Sequence, residues 1–470
     1  MGPLSLARCP SRGDTSAALP ERQTVNAMPG DNTPKRQIEW TAYSGELSLD
    51  ADRLAVAFRA GADASGEIEL EFEPIKLNNQ SKFVFLRWHD DGKDRVVYFS
   101  LSGVAEDGTR FETAHLSFDS LGNFSDASGT IMKPDGRCAK AVITFKLAQP
   151  AEKPVLQVRF KGFKNFRTEP IDCALGKVHI SGLAEFEDAN IVTGMVTVQA
   201  EALPDDVAAW HGEAERLTEH IRRIMSLASS SVLRAPLIAF YEGGTLTVTA
   251  WSQTKASSSA FPIFHFLDLD PIFQTAVKSF FDPPIAVNRL FFAIEWFAMN
   301  ALYNEVRLVA AMTALENLID SNVTEAEGLI LPKRVFEKTR KVLLNVIRAC
   351  VAKWAADGDE VMSELNETLA GLNRRSMLRK LKLLAARWHV PLDGISDESL
   401  RAAKNARDRV VHRGQYYEDA AESDADLWTH VTVIREVAVR FLLTAIGFRG
   451  RYHSYIGGYH DAVFPPPQPT

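Results

Sequence analysis

The chain is poor in cysteine. Its 470 residues include four, Cys9, Cys138, Cys173 and Cys350. They form no CxxC pair and no Cys/His zinc spacing, which excludes a disulfide scaffold and fits a reducing cytoplasm. A long apolar run is missing too. A membrane-spanning helix needs roughly 18 such residues, and the richest stretch, 290–302, is interrupted by Glu295 and Asn300. The first residues carry no apolar core of the roughly 7–15 residues that a secretory signal needs, and Leu6 stands where a myristoylation pattern wants Ser or Thr. Positive charge is not in excess: 53 Lys and Arg against 60 Asp and Glu leave −7. Any nucleic-acid contact is therefore expected to be local. HExxH, GxGxxG, Walker A and serine-elbow motifs are also absent, and no metal or cofactor is expected.

What is present is the composition of a chain that folds around cores, with 46% hydrophobic and 24% charged residues. The length suits two or three domains. Residues 1–36 are aperiodic and rich in Pro, Ser, Gly, Arg and Asp, the signature of a disordered leader, and Met28 offers a second possible start. From 37 to 202 the period is two. Glu67-Ile68-Glu69-Leu70-Glu71-Phe72-Glu73 alternates acid with apolar residues, the pattern of a half-buried strand with a solvated acidic face. Runs at 83–88 and 96–101 flank the turn-rich HDDGKD. Further strands are expected at 141–147, 155–160, 177–180 and 192–198, and short strands at this spacing imply a β-sandwich or barrel. Residues 203–265 read as an α/β connector: a helix over 205–228, then a hairpin turning at Gly243-Gly244. Helices are expected at 270–281, 285–302, 304–320, 333–355, 360–370, 373–387, 397–413 and 424–446, within a helical domain spanning 266–450. A tail, 451–470, follows. The fold class is thus α+β multidomain, β-rich first and all-α second.

The last helix has Ser423 as a candidate N-cap, one stripe of Leu427, Val431, Ile434, Ala438, Phe441 and Ala445, and Gly447 as its stop. The helix before it carries the chemistry. Ser396 can cap it, Asp397 and Glu398 occupy its first turn, and Gly414 ends it. At about 100° per residue, Leu400, Ala403, Val410 and Val411 share an apolar arc with Arg407 in its middle. Arg401, Asn405, Asp408 and His412 line an adjacent polar strip. An arginine on a buried arc cannot shed its charge and needs a carboxylate or phosphate. Asp408 and His412 stand at i and i+4, where the acid can orient the imidazole, and the helix C-terminus favours its charged form. A titratable imidazole beside a fixed guanidinium suits phosphodiester cleavage. The plainer reading is a packed helix with Arg407 in a structural ion pair. Upstream, Leu308, Met312, Leu315 and Ile319 form a stripe with Glu316 at its edge. A half-buried Glu316 needs a partner, as Arg407 does; the pair would hold the guanidinium, and the alternative is a solvated glutamate.

The run Arg407-Asp408-Arg409-Val410-Val411-His412 resembles the R-x4–6-H motif of HEPN domains, and Ala406 before it and Arg413-Gly414 after it match the family's usual wording. Asp408 departs from it, since Asn is commoner there. Ala314-Leu315-Glu316 on an upstream helix is similar to the family as well, and a β-rich half joined to such a bundle resembles ApeA-type anti-phage proteins. The motif-bearing resemblance covers about 285–450, and that of 37–260 is architectural. It implies a metal-independent endoribonuclease with His412 as acid/base, Arg407 as the phosphate contact and Asp408 as the orienting group. Glu316 and Asn405 would support them, and Arg401, Lys404, Arg409 and Arg413 would bind RNA, a tRNA or another structured RNA. It also implies a homodimer sharing one cleft, a phage-derived trigger, no membrane and a cytoplasmic location. The alternatives are a non-catalytic HEPN module that dimerises or binds a nucleotide or partner, and a regulator whose β-rich part is a sensor.

Three further signals are weaker. Residues 331–413 hold 18 Lys and Arg against 10 Asp and Glu, a local +8 that leaves −15 elsewhere. That is a solvated helix surface or an anion surface. Asp268 and Asp270 precede a helix and read as N-capping rather than metal-binding. His453 and His460 sit among Tyr452, Tyr455 and Tyr459, where tail packing explains them more simply than phosphate or metal.

Overall fold

A computed structural model describes residues 39–63, 65–77, 97–126, 129–163, 166–182, 191–252, 261–299, 301–354, 358–417 and 424–467. The expected leader, the 83–88 strand with its HDDGKD turn, and the Ser423 cap lie outside them. The chain divides into two compact units, residues 1–214 with 234–255, and 215–233 with 256–470.

Among the described residues, the first unit is an antiparallel sheet of thirteen strands. They are β1 (Thr41–Leu49), β2 (Asp52–Ala62), β3 (Ile68–Phe72), β4 (Ile75–Leu77), β5 (Phe99–Val104), β6 (Arg110–Asp126) and β7 (Gly129–Cys138). The others are β8 (Lys140–Lys161), β9 (Phe166–Arg167), β10 (Ile171–Cys173), β11 (Gly176–Gly182), β12 (Val192–Gln199) and β13 (Arg234–Trp251). The main path runs β10-β11-β12-β8-β6-β5-β1-β2-β3, with β13 branching from β8 and β7 from β6. Alternation works as expected in β5, where Phe99, Leu101 and Gly103 are buried and their neighbours exposed. Tyr43, Phe58 and Phe111 meet at 5.2–5.6 Å between ring centroids and form the aromatic centre of the core.

Two expectations change here. The strands expected at 141–147 and 155–160 are one continuous strand, β8. Its partner β13 is also continuous, although a hairpin was expected to turn at Gly243-Gly244. Gly243 does adopt a left-handed φ of 50°, but it uses it in a bulge opposite Ala151, with register shifts on both sides. A glycine that bends a strand and one that reverses it leave the same local signature. The connector expected at 203–265 is correspondingly not a body of its own. β13 belongs with the sheet, and helix α1 (Val207–Ser229) divides between the units at Ala214.

The second unit is helical: α2 (Leu269–Phe281), α3 (Leu290–Phe297), α4 (Asn304–Asn322), α5 (Glu325–Gly328), α6 (Lys333–Trp354) and α7 (Gly358–Gly371). Then come α8 (Met377–Trp388), α9 (Asp397–Arg413) and α10 (Asp424–Ile446). The helix expected over 285–302 is only eight residues long. Pro283 and Pro284 precede it, and Arg289 enters it at a left-handed φ of 55°. Asp268 stands at the N-cap of α2 but makes no side-chain capping bond. His265 caps the short 3-10 turn before it instead. The α10 stripe is wholly buried from Leu427 to Ala445, and so are Leu308, Met312, Leu315 and Ile319 of α4. α4 packs on α3, α9 and α10, and α9 packs on α10, which sets the helix of interest on the bundle's central pair.

The tail expected at 451–470 carries a hairpin within its described residues. β14 (Gly450–Ser454) and β15 (His460–Phe464) pair as a hairpin. Buried Glu436 of α10 holds it by accepting from Tyr452 and Ser454 while pairing Arg440 at 2.9 Å. His453 is buried against Tyr459, and His460 bonds the Gly458 carbonyl, consistent with packing roles.

Candidate functional site

α9 begins and ends as its sequence dictates. The Ser399 amide donates to Ser396 Oγ at 3.0 Å. At the other end Gly414 takes a φ of 78° and its N–H closes on the Val410 carbonyl. Leu400, Ala403 and Ala406 are buried. Val410 is half-buried and Val411 is 50% exposed, so the buried row is narrower than the expected arc and Arg407 lies at its edge.

Arg407 is gripped from two sides. Its Nη2 donates to both Glu316 oxygens, at 3.0 and 2.8 Å, across 91 residues of chain. Its Nη1 donates to Asp408 Oδ1 at 3.2 Å. Nε is buried and makes no hydrogen bond. Glu316 is thus the carboxylate that Arg407 required. Burial raises the pKa of Glu316, and Asp320 and Asp408 add to that, together outweighing the charges of Arg407 and Lys404. For Asp408 the balance is opposite. Partial burial penalises its charge, but the bond and charge of Lys404, then of Arg407, hold its pKa below the usual carboxylate range.

Asp408 does not orient His412. Its second oxygen accepts from Lys404, one turn earlier on the same helix. Lys404 and His412 both stand four residues from Asp408, and the carboxylate turns to the permanent cation. Among the described residues the His412 ring makes no hydrogen bond; it stands exposed in the last turn. Asn405 is exposed as well. Of the four residues expected to bind RNA, Lys404 is engaged by Asp408 and Arg401 lies 3.8 Å from Asp397. Arg409 covers the Tyr416 ring at 4.8 Å, and Arg413 is exposed at the helix end.

Glu316 also faces an open groove of about 690 Å³, lined by Asn288, Arg289, Thr313, Asn317, Asp320 and Ser321 besides itself. Asn288 and Asn322 fix its rim: the Asn288 amide donates to Asn322 Oδ1, and Asn322 Nδ2 donates back to the Asn288 carbonyl. Sequence reasoning missed Arg289 and Asn317. A signal for Asn317 was present, since Thr313, Glu316, Asn317 and Asp320 repeat at i, i+3, i+4 and i+7 and make a polar strip beside the α4 stripe. For Arg289 no local pattern announces the left-handed turn.

A possible cation cluster lies in the sheet unit, where Asp63, Glu67 and Glu69 bring oxygens within 4.8 Å of one another. Asp63 Oδ1 there accepts from the Ser65 and Glu67 amides, which is the chemistry of a turn. Comparison with protein-family models, with curated proteins and with solved structures returns no match for this chain.

Proposed function

We propose that the helical unit is an HEPN-like endoribonuclease whose site is the C-terminal end of α9. The observation that carries this reading is Arg407, held by the Glu316 carboxylate on one side and followed five residues later by an exposed imidazole, His412. The reaction needs no external reactant. The RNA 2′-hydroxyl attacks the adjacent phosphorus, the bond to the 5′-oxygen breaks, and a 2′,3′-cyclic phosphate and a 5′-hydroxyl remain. One group must take the 2′ proton and another must give one to the leaving oxygen. His412 of each copy in a two-fold dimer fills the two roles, and Arg407 stabilises charge on the pentavalent phosphate. Asp408 and Glu316 act on the guanidinium by holding it in place. The β-rich unit serves as sensor or regulator, and an anti-phage role with a phage-derived trigger in the cytoplasm follows from the same resemblance.

A second reading has one observation in its favour. His412 lacks an orienting partner among the described residues, which suits a non-catalytic HEPN module that dimerises or binds a nucleotide or partner. Purified protein on end-labelled RNA separates the two. Cleavage that persists in excess EDTA and is lost in both His412→Ala and Arg407→Ala supports the enzyme. Cleavage that stops with chelator and returns with a divalent metal overturns the mechanism, and none under any condition favours the module.

A further inference from the structure

Among the described residues, Arg435 is a guanidinium without a carboxylate. It lies on α10 in the row Trp428, Thr432, Arg435, at i, i+4 and i+7. Its Nη2 donates to Ser230 Oγ and to the Phe261 carbonyl, both at 3.3 Å, and its plane covers the Phe297 ring at 4.4 Å. Both acceptors are neutral and both bonds are long. Its Nε and Nη1 make no hydrogen bond among the described residues. A second arginine approaches the same cluster. Arg307, near the start of α4, covers the Phe261 ring at 4.9 Å and donates to Asn304 Oδ1 at 2.9 Å. Neither arginine has an ion pair among the described residues. Burial pulls the Arg435 pKa down to about 10, with Tyr455 opposing the shift and Arg307 adding to it more weakly.

Three other half-buried arginines of this unit pair with a carboxylate, Arg222 with Glu219, Arg407 with Glu316 and Arg440 with Glu436, whereas Arg375 has no ion pair among the described residues. A guanidinium keeps its charge at any physiological pH, so the repulsion between Arg307 and Arg435 is not relieved by losing a proton. Riveting α10 to the Phe297 ring needs one arginine. Two like charges on one aromatic cluster favour an anion beside them. The rings nearby are suited to more than packing. Phe261 lies 4.6 Å from Trp428 and 5.6 Å from Tyr455 between centroids, and all three are only half-buried. Guanidinium donors grip phosphate oxygens, while aromatic faces and guanidinium planes stack on bases.

We propose that Arg307, Arg435, Phe261, Trp428 and Tyr455 form a nucleotide-binding site that shares no residue with the Arg407–His412 helix end, with the phosphate on the paired guanidiniums and the base against the rings. The nucleotide is either free or one unit of an RNA strand, and the chemistry is the same.

The test is equilibrium binding of two probes to the full chain: adenosine monophosphate, and a labelled 2′-O-methyl hexauridylate, which lacks the attacking hydroxyl. Wild type should bind at least one. Arg307→Ala should weaken that binding at least about tenfold and lower its salt slope by roughly one, with its melting temperature unchanged. Arg307→Lys should recover part of the affinity. If Arg307→Ala does not fold, Arg307→Gln serves in its place. Loss of the mononucleotide signal marks a free-nucleotide site, and loss confined to the oligonucleotide marks a strand site; either supports the proposal. Binding unchanged by both Arg307→Ala and Arg307→Gln, or no binding of either probe to wild type, overturns it. In His412→Ala the Arg307-dependent part of the binding should remain, so failure of this site and failure of the cleavage reading are read separately.

Discussion

Arg407 shows what a single charged residue on a packed face requires. Its guanidinium is forked onto Glu316 and braced by Asp408, and the two acids titrate in opposite directions. The shifts set a pH order. As pH falls, Glu316 takes its proton before an ordinary glutamate does, while Asp408 stays ionised below the usual range. A raised carboxylate pKa opposes folding once pH climbs through it, and a depressed one supports folding until pH drops through it. Carbon-detected NMR titration should find Glu316 high and Asp408 low. Arg407→Ala should push Glu316 higher, and an unchanged Glu316 would contradict the pairing. A double-mutant cycle of Glu316→Gln and Arg407→Ala should show coupling of about 0.5–3 kcal/mol in stability; strict additivity would make Glu316 an ordinary surface residue. The need of Arg407 for a carboxylate was legible in the sequence because its position on the helix wheel is local. The choice Asp408 makes between Lys404 and His412, both four residues away, was not, since spacing alone cannot rank two equidistant cations.

At the scale of elements, helix ends were the most legible features. Ser396 and Gly414 bound α9 at the residues their chemistry selects, because a cap bond and a left-handed stop are settled within four residues. Ser396→Ala should cost about 1 kcal/mol in chemical denaturation. Gly414→Ala should cost about 1–2 kcal/mol from the left-handed backbone alone, since a Cβ there meets no neighbour. Equal stability of either variant with wild type would show that end to be frayed. Strands were harder. Gly243 gave a turn signal, and only the pairing of β13 with β8 decides that it is a bulge. The connector failed for the same reason: sheet membership is a long-range fact. The short α3 reflects Pro283, Pro284 and the strained Arg289, of which only the prolines can be seen in advance.

For the whole molecule, stability against acid follows from His220. Burial pulls its pKa down to about 4, against a weaker upward effect of the Ala276 carbonyl, and its ring meets Ser279 Oγ at 3.0 Å. Between about pH 6.5 and 4 the unfolded chain takes a proton that the folded one refuses, so stability falls as pH drops through that window. His220→Leu should flatten the slope measured by denaturation at a series of pH values, and an unaltered slope would contradict it. Assembly follows from the proposed chemistry. One chain presents one His412, and proton removal and donation call for two. Sedimentation should give twice the 52.1 kDa chain mass. An excess of His412→Ala chains mixed with active ones should lower specific activity faster than dilution does, and a strictly monomeric, fully active enzyme would defeat the shared cleft.

The chemistry of the RNA ends tests the cleavage claim most directly. After incubation in excess EDTA, fragments made by the wild-type chain should carry 2′,3′-cyclic phosphate and 5′-hydroxyl ends, and His412→Ala should release none. Fragments with 5′-phosphate ends, or the same cyclic-phosphate products at the wild-type rate from His412→Ala, would contradict the role of the α9 helix end.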